Sequence, residues 1–322
     1  MTKESKKKEE LNDKLTDLEK NFGLKKASDK PDSESIYTDI YALDYVLDKG
    51  IKLTKGGHKI EFYGRESSGK TTMSLLIIKK FQELGKTCVY IEVESYDKEW
   101  GARLGVNNDK LLVARPNTLE EAGELLLKLL PSVDLIVIDS IVNLEPELET
   151  ERELNEPTQA LQARVNSVLC RKINSAIAEY NTTLIFINQI REKLGVMYGN
   201  PETTPGGRAL KHLYNTRVEF KSGKFIEQGT NENKIRIGVE LELYGKKNKL
   251  GTPQRKAIVD FYYTGNIDNK KSLFYAGVKY CIIGLQGKTY TYKDFKAVGL
   301  DNFITTFTNW KDLEKELHEK VK

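Results

Sequence analysis

The chain has 322 residues, 39% of them hydrophobic and 30% charged, and a net charge of +4. These values fit a globular protein with one large domain and smaller attachments, and they exclude a disordered chain. No apolar run approaches the roughly 18–20 residues of a membrane span, and no signal-peptide core follows the charged start Met1–Glu10, so a cytoplasmic protein with no membrane partner is expected. Cys88, Cys170 and Cys281 lack the paired spacing of a zinc site or a disulfide framework and read as reduced core thiols. So mild a net charge does not by itself nominate nucleic acid.

Leu11, Leu15, Leu18 and Phe22 recur at helical intervals within 6–26, which predicts an amphipathic helix whose apolar stripe needs a cover. Small, charged and proline residues at 27–35 read as a linker, so the helix is expected to dock on another subunit. From Ile60 onward, strand-like runs at Ile60–Tyr63, Cys88–Val93, Leu135–Ile138 and Thr183–Ile187 alternate with helical patterns after Gly69, near Leu119–Leu130 and at Gln159–Tyr180. That alternation predicts an α/β fold with a mostly parallel central sheet flanked by helices. Lys234–Tyr244 and Lys256–Tyr262 read as antiparallel additions at the sheet edge. A short helix, a tyrosine-rich turn around Tyr290–Lys293 and a charged helix, Trp310–Lys320, predict a small α+β domain at the C-terminal end. The expected division is therefore 1–35 for docking, 36–268 for the core and 269–322 for the small domain.

Gly64-Arg65-Glu66-Ser67-Ser68-Gly69-Lys70-Thr71 matches G-x-x-x-x-G-K-[ST] between an apolar strand and a helical pattern, and Thr72 follows it. Such a loop presents backbone N–H groups and a helix N-terminus to the phosphates of ATP, while Lys70 neutralises charge and Thr71 ligates Mg2+. Leu135–Asp139 is a buried strand ending in a carboxylate, so Asp139, with Ser140 after it, is expected to hold the metal through water. Glu94 follows the strand Cys88–Val93 in the same way and is placed to orient or deprotonate the attacking water.

The phosphate loop, Phe186–Arg191 (F-I-N-Q-I-R), Gly195–Thr204 (G-V-M-Y-G-N-P-E-T-T) and the Gly206-Gly207 pair together resemble the bacterial RecA recombinase family, from about Thr38 to Tyr263. The resemblance implies a RecA-type P-loop ATPase core whose ATP lies between neighbouring subunits of a helical filament, with DNA along its axis. It implies an ATP-dependent homologous recombinase that filaments on single-stranded DNA and exchanges strands with homologous duplex DNA, with single-strand-binding and mediator proteins as further candidate partners. On the same basis Glu94 matches the catalytic glutamate, and Gln189 the glutamine that relays the γ-phosphate to the DNA loop. Asp97 and Trp100 match the adenine contacts, with Trp where the family has Tyr. Lys247 and Lys249 match two lysines that reach ATP across the subunit interface.

The stretch Ile190–Gly207 has no clear period and contains glycines, so it reads as a functional loop. Arg191, Lys193 and Arg208 suit phosphates, Leu194 and Tyr198 suit wedging between bases, and amides near Gly206 and Gly207 suit close approach. Arg164 and Arg171, seven apart on one helix face, match family arginines along the same axis. Two departures stand out: Glu192 replaces an apolar residue in this loop, and the acidic stretch Glu147–Pro157 does not match the family's first DNA loop. Lysines 270, 271, 279, 288, 293 and 296 nominate the small domain as a gateway for duplex DNA. The alternatives are a hexameric helicase built on the same core and a non-catalytic regulatory filament protein.

Overall fold

The computed structural model describes residues 3–22, 34–147, 159–192, 202–230 and 233–320. Two compact units make up the chain, 1–34 and 35–322. The first holds helix α1 (Lys3–Phe22), whose Leu15, Leu18 and Phe22 are exposed.

Strand β1 (Glu34–Ile36) starts at the boundary, and α2 (Tyr41–Leu47) and β2 (Ile51–Leu53) of the second unit precede β3 (Lys59–Gly64) and α3 (Lys70–Glu83). Next come β4 (Cys88–Glu92), α4 (Lys98–Leu104), β5 (Leu111–Ala114), α5 (Leu119–Leu129) and β6 (Leu135–Asp139). After them run α6 (Gln159–Ala176), β7 (Thr183–Gln189), the short strands β8 (Arg191–Glu192) and β9 (Glu202–Thr203), and α7 (Gly207–Leu213). The antiparallel strands β10 (Thr216–Gln228), β11 (Ile235–Asn248), β12 (Lys256–Tyr262) and β13 (Ile267–Asp268) complete the large sheet. The final part is α8 (Lys270–Lys279), β14 (Gly284–Gln286), β15 (Thr289–Tyr292), β16 (Phe295–Val298), α9 (Leu300–Thr306) and α10 (Trp310–Lys320).

The nine-stranded sheet has the order β13-β12-β11-β10-β3-β7-β6-β4-β5. Strands from β10 to β5 pair in parallel, and β10 through β13 pair antiparallel. Helices cover both faces, which is why the central strands read as unbroken apolar runs. Along β7, Ile185 and Ile187 join one core cluster with Phe62, Met73 and Ile77, while Leu184 and Phe186 join a second with Leu126, Ile136 and Leu169.

Strand β10 was not legible as a strand because only its first half is buried. Its second half, with Lys221, Ser222 and Lys224, runs past the end of β3 and pairs with β11 alone. Of the tyrosine-rich turn, the tyrosines belong to strand β15, and the turn itself comes at Lys293, which has a φ of 51°. Tyr290 faces Ala297 across β15 and β16 and packs on Phe274 with ring centroids 4.8 Å apart, so the tyrosines line an aromatic core. Cys88 and Cys170 are buried, but Cys281 is exposed just after α8 and is not a core thiol. Among the described residues no helix is long and apolar enough to cross a membrane.

Candidate nucleotide and DNA site

The C-terminal ends of β3, β4, β6 and β7 lie side by side, the edge of a parallel sheet where ligands bind. The loop Arg65–Gly69 leaves β3 there and enters α3. Two glycines are required by geometry. A Cβ on Gly64 would stand 2.3 Å from the Phe220 carbonyl oxygen, and one on Gly69 would stand 2.9 Å from Leu241 at a φ of +85°. Lys70 Nζ turns back into the loop and donates to the carbonyls of Arg65 (2.7 Å) and Gly64 (3.2 Å). Burial lowers its pKa, and the charges of Asp139, Glu94 and Glu66 oppose that shift. A cation held among carbonyls at a helix N-terminus suits phosphate oxygens.

Thr71 Oγ1 and the Tyr90 hydroxyl both donate to Asp139 Oδ2, each at 2.8 Å. The oxygen-only pair of Thr71 and Asp139 suits a hard divalent cation such as Mg2+ shared with phosphates. Ser140 Oγ, buried beside Asp139, has no hydrogen-bond partner among the described residues, which leaves an acceptor for a metal-bound water. Thr72 lies in the first turn of α3.

Glu94 follows β4 by two residues, and its amide donates to the Asp139 carbonyl at 3.1 Å. Its Oε1 accepts from Asn143 Nδ2 (2.9 Å) and Gln189 Nε2 (3.2 Å). Burial and the Asp139 charge raise its pKa, as befits a carboxylate that handles a proton. The structure thus brings Glu94, Gln189, Asp139 and Lys70 to one sheet edge. Asn143 and Tyr90 belong to the same cluster and carry no sequence signal. Asn143 lies 49 residues from Glu94 and reaches it only because the turn Ile141–Asn143 folds back after β6.

Asp97 caps α4, its Oδ1 accepting from the amides of Glu99 and Trp100 at 2.9 Å. Trp100 is half-buried against Phe261, with the Arg103 guanidinium 5.6 Å from its ring centre.

Lys247 and Lys249 lie further back along the sheet, away from the phosphate loop. Lys247 is level with Arg217 and hence with Glu61, and the Lys249 amide donates to Asn215, whose own amide donates to Lys59. Their backbones are therefore three and five residues short of Gly64, roughly 10 and 17 Å along the strands. Burial, with Lys249 and Arg217 nearby, lowers the Lys247 pKa to about 8.

Gln189 ends β7, and Arg191 pairs with Thr203 and Glu192 with Glu202 to form a two-stranded base for the loop. Lys193, Leu194 and Tyr198 lie outside the described residues. The C-terminal root of the loop is held by a buried carboxylate, Glu61, which accepts from Asn188 Nδ2 (2.9 Å) and pairs with Arg217. Arg217 Nη2 donates to Thr204 Oγ1 at 3.1 Å, and Asn188 to the Pro205 carbonyl at 3.4 Å. Gly206 and Gly207 open α7 with φ values of 92° and 79°, and Arg191 and Arg208 are exposed. Arg164 and Arg171 are exposed on α6, and Arg164 also lines a 420 Å³ apolar groove against α5 with Leu119, Leu127 and Val168.

In the small domain, Lys271 pairs with Glu240 and Asp260, Lys270 with Asp268 and Lys293 with Glu316, while Lys279 donates to the Tyr45 hydroxyl. Among the described residues only Lys288 and Lys296 of the six have neither an ion pair nor a side-chain hydrogen bond, which weakens the reading of a basic gateway.

A family model described as the RecA N-terminal domain matches residues 9–268. Protein RecA of Frankia casuarinae is 39% identical, covering 97% of this chain and 91% of its own length. Protein RecA of Kineococcus radiotolerans is 37% identical, over 96% and 89%. Protein RecA of Francisella tularensis subsp. novicida is 40% identical, over 89% and 80%.

Proposed function

The chain belongs to the RecA family, and from that premise we propose how its residues divide the work of a DNA-dependent ATPase that pairs homologous strands. One observation carries the reading. Gln189 donates to Glu94 through its side chain, while its backbone begins the DNA loop. A glutamine so placed feels the γ-phosphate end of the nucleotide site and moves the loop root in the same step.

In this reading the amides of Arg65–Thr72 and Lys70 hold the phosphates of ATP, and Trp100 offers a flat face to the base, with Asp97 beside it. Thr71, Asp139 and Ser140 would hold Mg2+, which would supply charge screening to the phosphates. Glu94, positioned by Asn143 and Gln189, orients the attacking water and takes its proton. Lys247 and Lys249, too far along the strands to serve their own loop, reach ATP on the next subunit. The exposed stripe of α1 fits docking on that same neighbour. Arg164, Arg171, Arg191, Lys193 and Arg208 neutralise single-stranded DNA, the Gly206–Gly207 amides approach its backbone, and Leu194 and Tyr198 enter between bases. Recognition of the homologous duplex comes from base pairing. Single-strand-binding and mediator proteins remain candidate partners.

The test is ATP hydrolysis with and without single-stranded DNA, together with strand exchange between a circular single strand and a homologous linear duplex. Stimulated turnover with joint molecules is expected. Turnover with duplex unwinding and no pairing is the helicase result, and absence of turnover is that of a regulatory filament.

A further inference from the structure

Helix α7 follows the DNA loop and ends without enough amide donors for its last carbonyls. The Tyr214 amide closes on Leu210, but the Asn215 amide, the natural donor to Lys211, turns instead to the Lys59 carbonyl at 2.7 Å. Lys247 Nζ fills the gap and donates to the Lys211 carbonyl at 2.6 Å, a cation on a helix C-terminus. Lys211 in turn donates its own Nζ to Thr203 Oγ1 at 2.7 Å. Thr203 pairs with Arg191 in the base of the loop. An unbroken chain of contacts therefore runs from Lys247 through Lys211 and Thr203 to the loop base. Gln189 enters that base from its other strand.

We propose that Lys247 has two positions, on the Lys211 carbonyl in the free protomer and on the nucleotide phosphates of the neighbouring subunit in the filament. ATP on one subunit thereby releases the DNA-loop base of the next. The inference rests on the reading of Lys247 as a residue that reaches ATP across the interface. A single neutral carbonyl is a weaker partner for an ammonium than a polyphosphate, so the transfer runs toward the nucleotide. Lys249 has no part in this anchor. Among the described residues its hydrogen bond is made by its backbone amide, to the Asn215 carbonyl at 2.9 Å.

The experiment measures the affinity of the full chain for a fluorescent oligothymidylate, without nucleotide and with a slowly hydrolysed ATP analogue. Thr203→Val breaks the chain without altering charge, and Lys247→Met is compared with Lys249→Met, which removes the same charge. Without nucleotide, Thr203→Val is expected to bind about fivefold tighter than the parent, and Lys247→Met about fivefold tighter than Lys249→Met, as loss of one hydrogen-bonded anchor implies. Both should gain less from the analogue. Equal nucleotide-free affinity of Lys247→Met and Lys249→Met overturns the switch, whatever Thr203→Val does. DNA-stimulated turnover separates the premise from the inference. If Lys247→Met keeps parental turnover, the contact across the interface is wrong. If turnover falls while nucleotide-free affinities stay put, only the switch is wrong.

Discussion

Two buried groups with opposed titrations should make the stability of this protein insensitive to mild acid. His58 is fully buried, accepting from the Lys52 amide at Nδ1 (3.1 Å) and facing Thr216 Oγ1 from Nε2 (2.8 Å). Burial, then the charges of Lys52 and Lys59, lowers its pKa from 6.5 to about 3. Asp44 is buried under the Thr38 amide and hydroxyl, and burial raises its pKa from 3.8 to about 7 despite those hydrogen bonds and the His318 charge.

A histidine with a depressed folded pKa contributes stability that is present above 6.5 and lost as pH falls toward 3. An aspartate with a raised folded pKa contributes stability that is present below 3.8 and lost as pH rises through 7. Between 3.8 and 6.5 the two slopes, each about 1.4 kcal/mol per pH unit, have opposite signs and cancel. Removing either partner unmasks the other. From pH 6.5 to about pH 5, His58→Gln should gain about 2 kcal/mol relative to the parent, and Asp44→Asn should lose about 2 kcal/mol. Urea unfolding at several pH values reads both differences, and the double variant should again follow the parent. Parallel profiles for all four proteins would refute the reasoning.

Asn143→Ala removes one of the two donors to Glu94 Oε1 and should lower kcat of DNA-stimulated hydrolysis about tenfold with ATP affinity unchanged; an unaltered kcat rejects its positioning role. Gln189→Ala should leave ATP binding intact but abolish the increase in DNA affinity that ATP brings, measured by anisotropy with and without the analogue. Arg217→Met strands the fully buried Glu61 carboxylate and should cost about 3–5 kcal/mol, whereas the paired change Glu61→Gln with Arg217→Met should recover much of it; thermal melting distinguishes them. Lys70→Ala should abolish turnover, and DNA-stimulated hydrolysis surviving in that variant would remove the phosphate-loop assignment.

The phosphate loop and the strand ending in Asp139 were legible because their chemistry is local: a glycine turn, a lysine and a carboxylate at a strand end each announce themselves within a few residues. The parallel core was legible for a related reason, since strands buried on both faces leave continuous apolar runs. Short elements were not. Helices α2 and α7 span seven residues each, under two turns, too few for a period to emerge. The outer half of β10 carries the composition of a loop because water covers it. Tyr90, Asn143, Lys211 and Thr203 acquire their roles only through partners 8 to 49 residues away.

The end of β7 explains how one strand can serve two sites. Successive side chains on a strand point to opposite faces, so Gln189 turns toward Glu94 while Asn188 turns toward Glu61 and the Pro205 carbonyl. Gln189 reaches Glu94 at 3.2 Å on the nucleotide side, and the opposite root is held by Glu61, Arg217 and Thr204. The Lys247–Lys211 contact adds a further restraint, which the proposed switch would place under a different nucleotide. On the proposed two-position switch, nucleotide on both sides of a subunit would be required to free its loop fully. DNA affinity should accordingly rise more steeply than in proportion to the fraction of subunits carrying ATP.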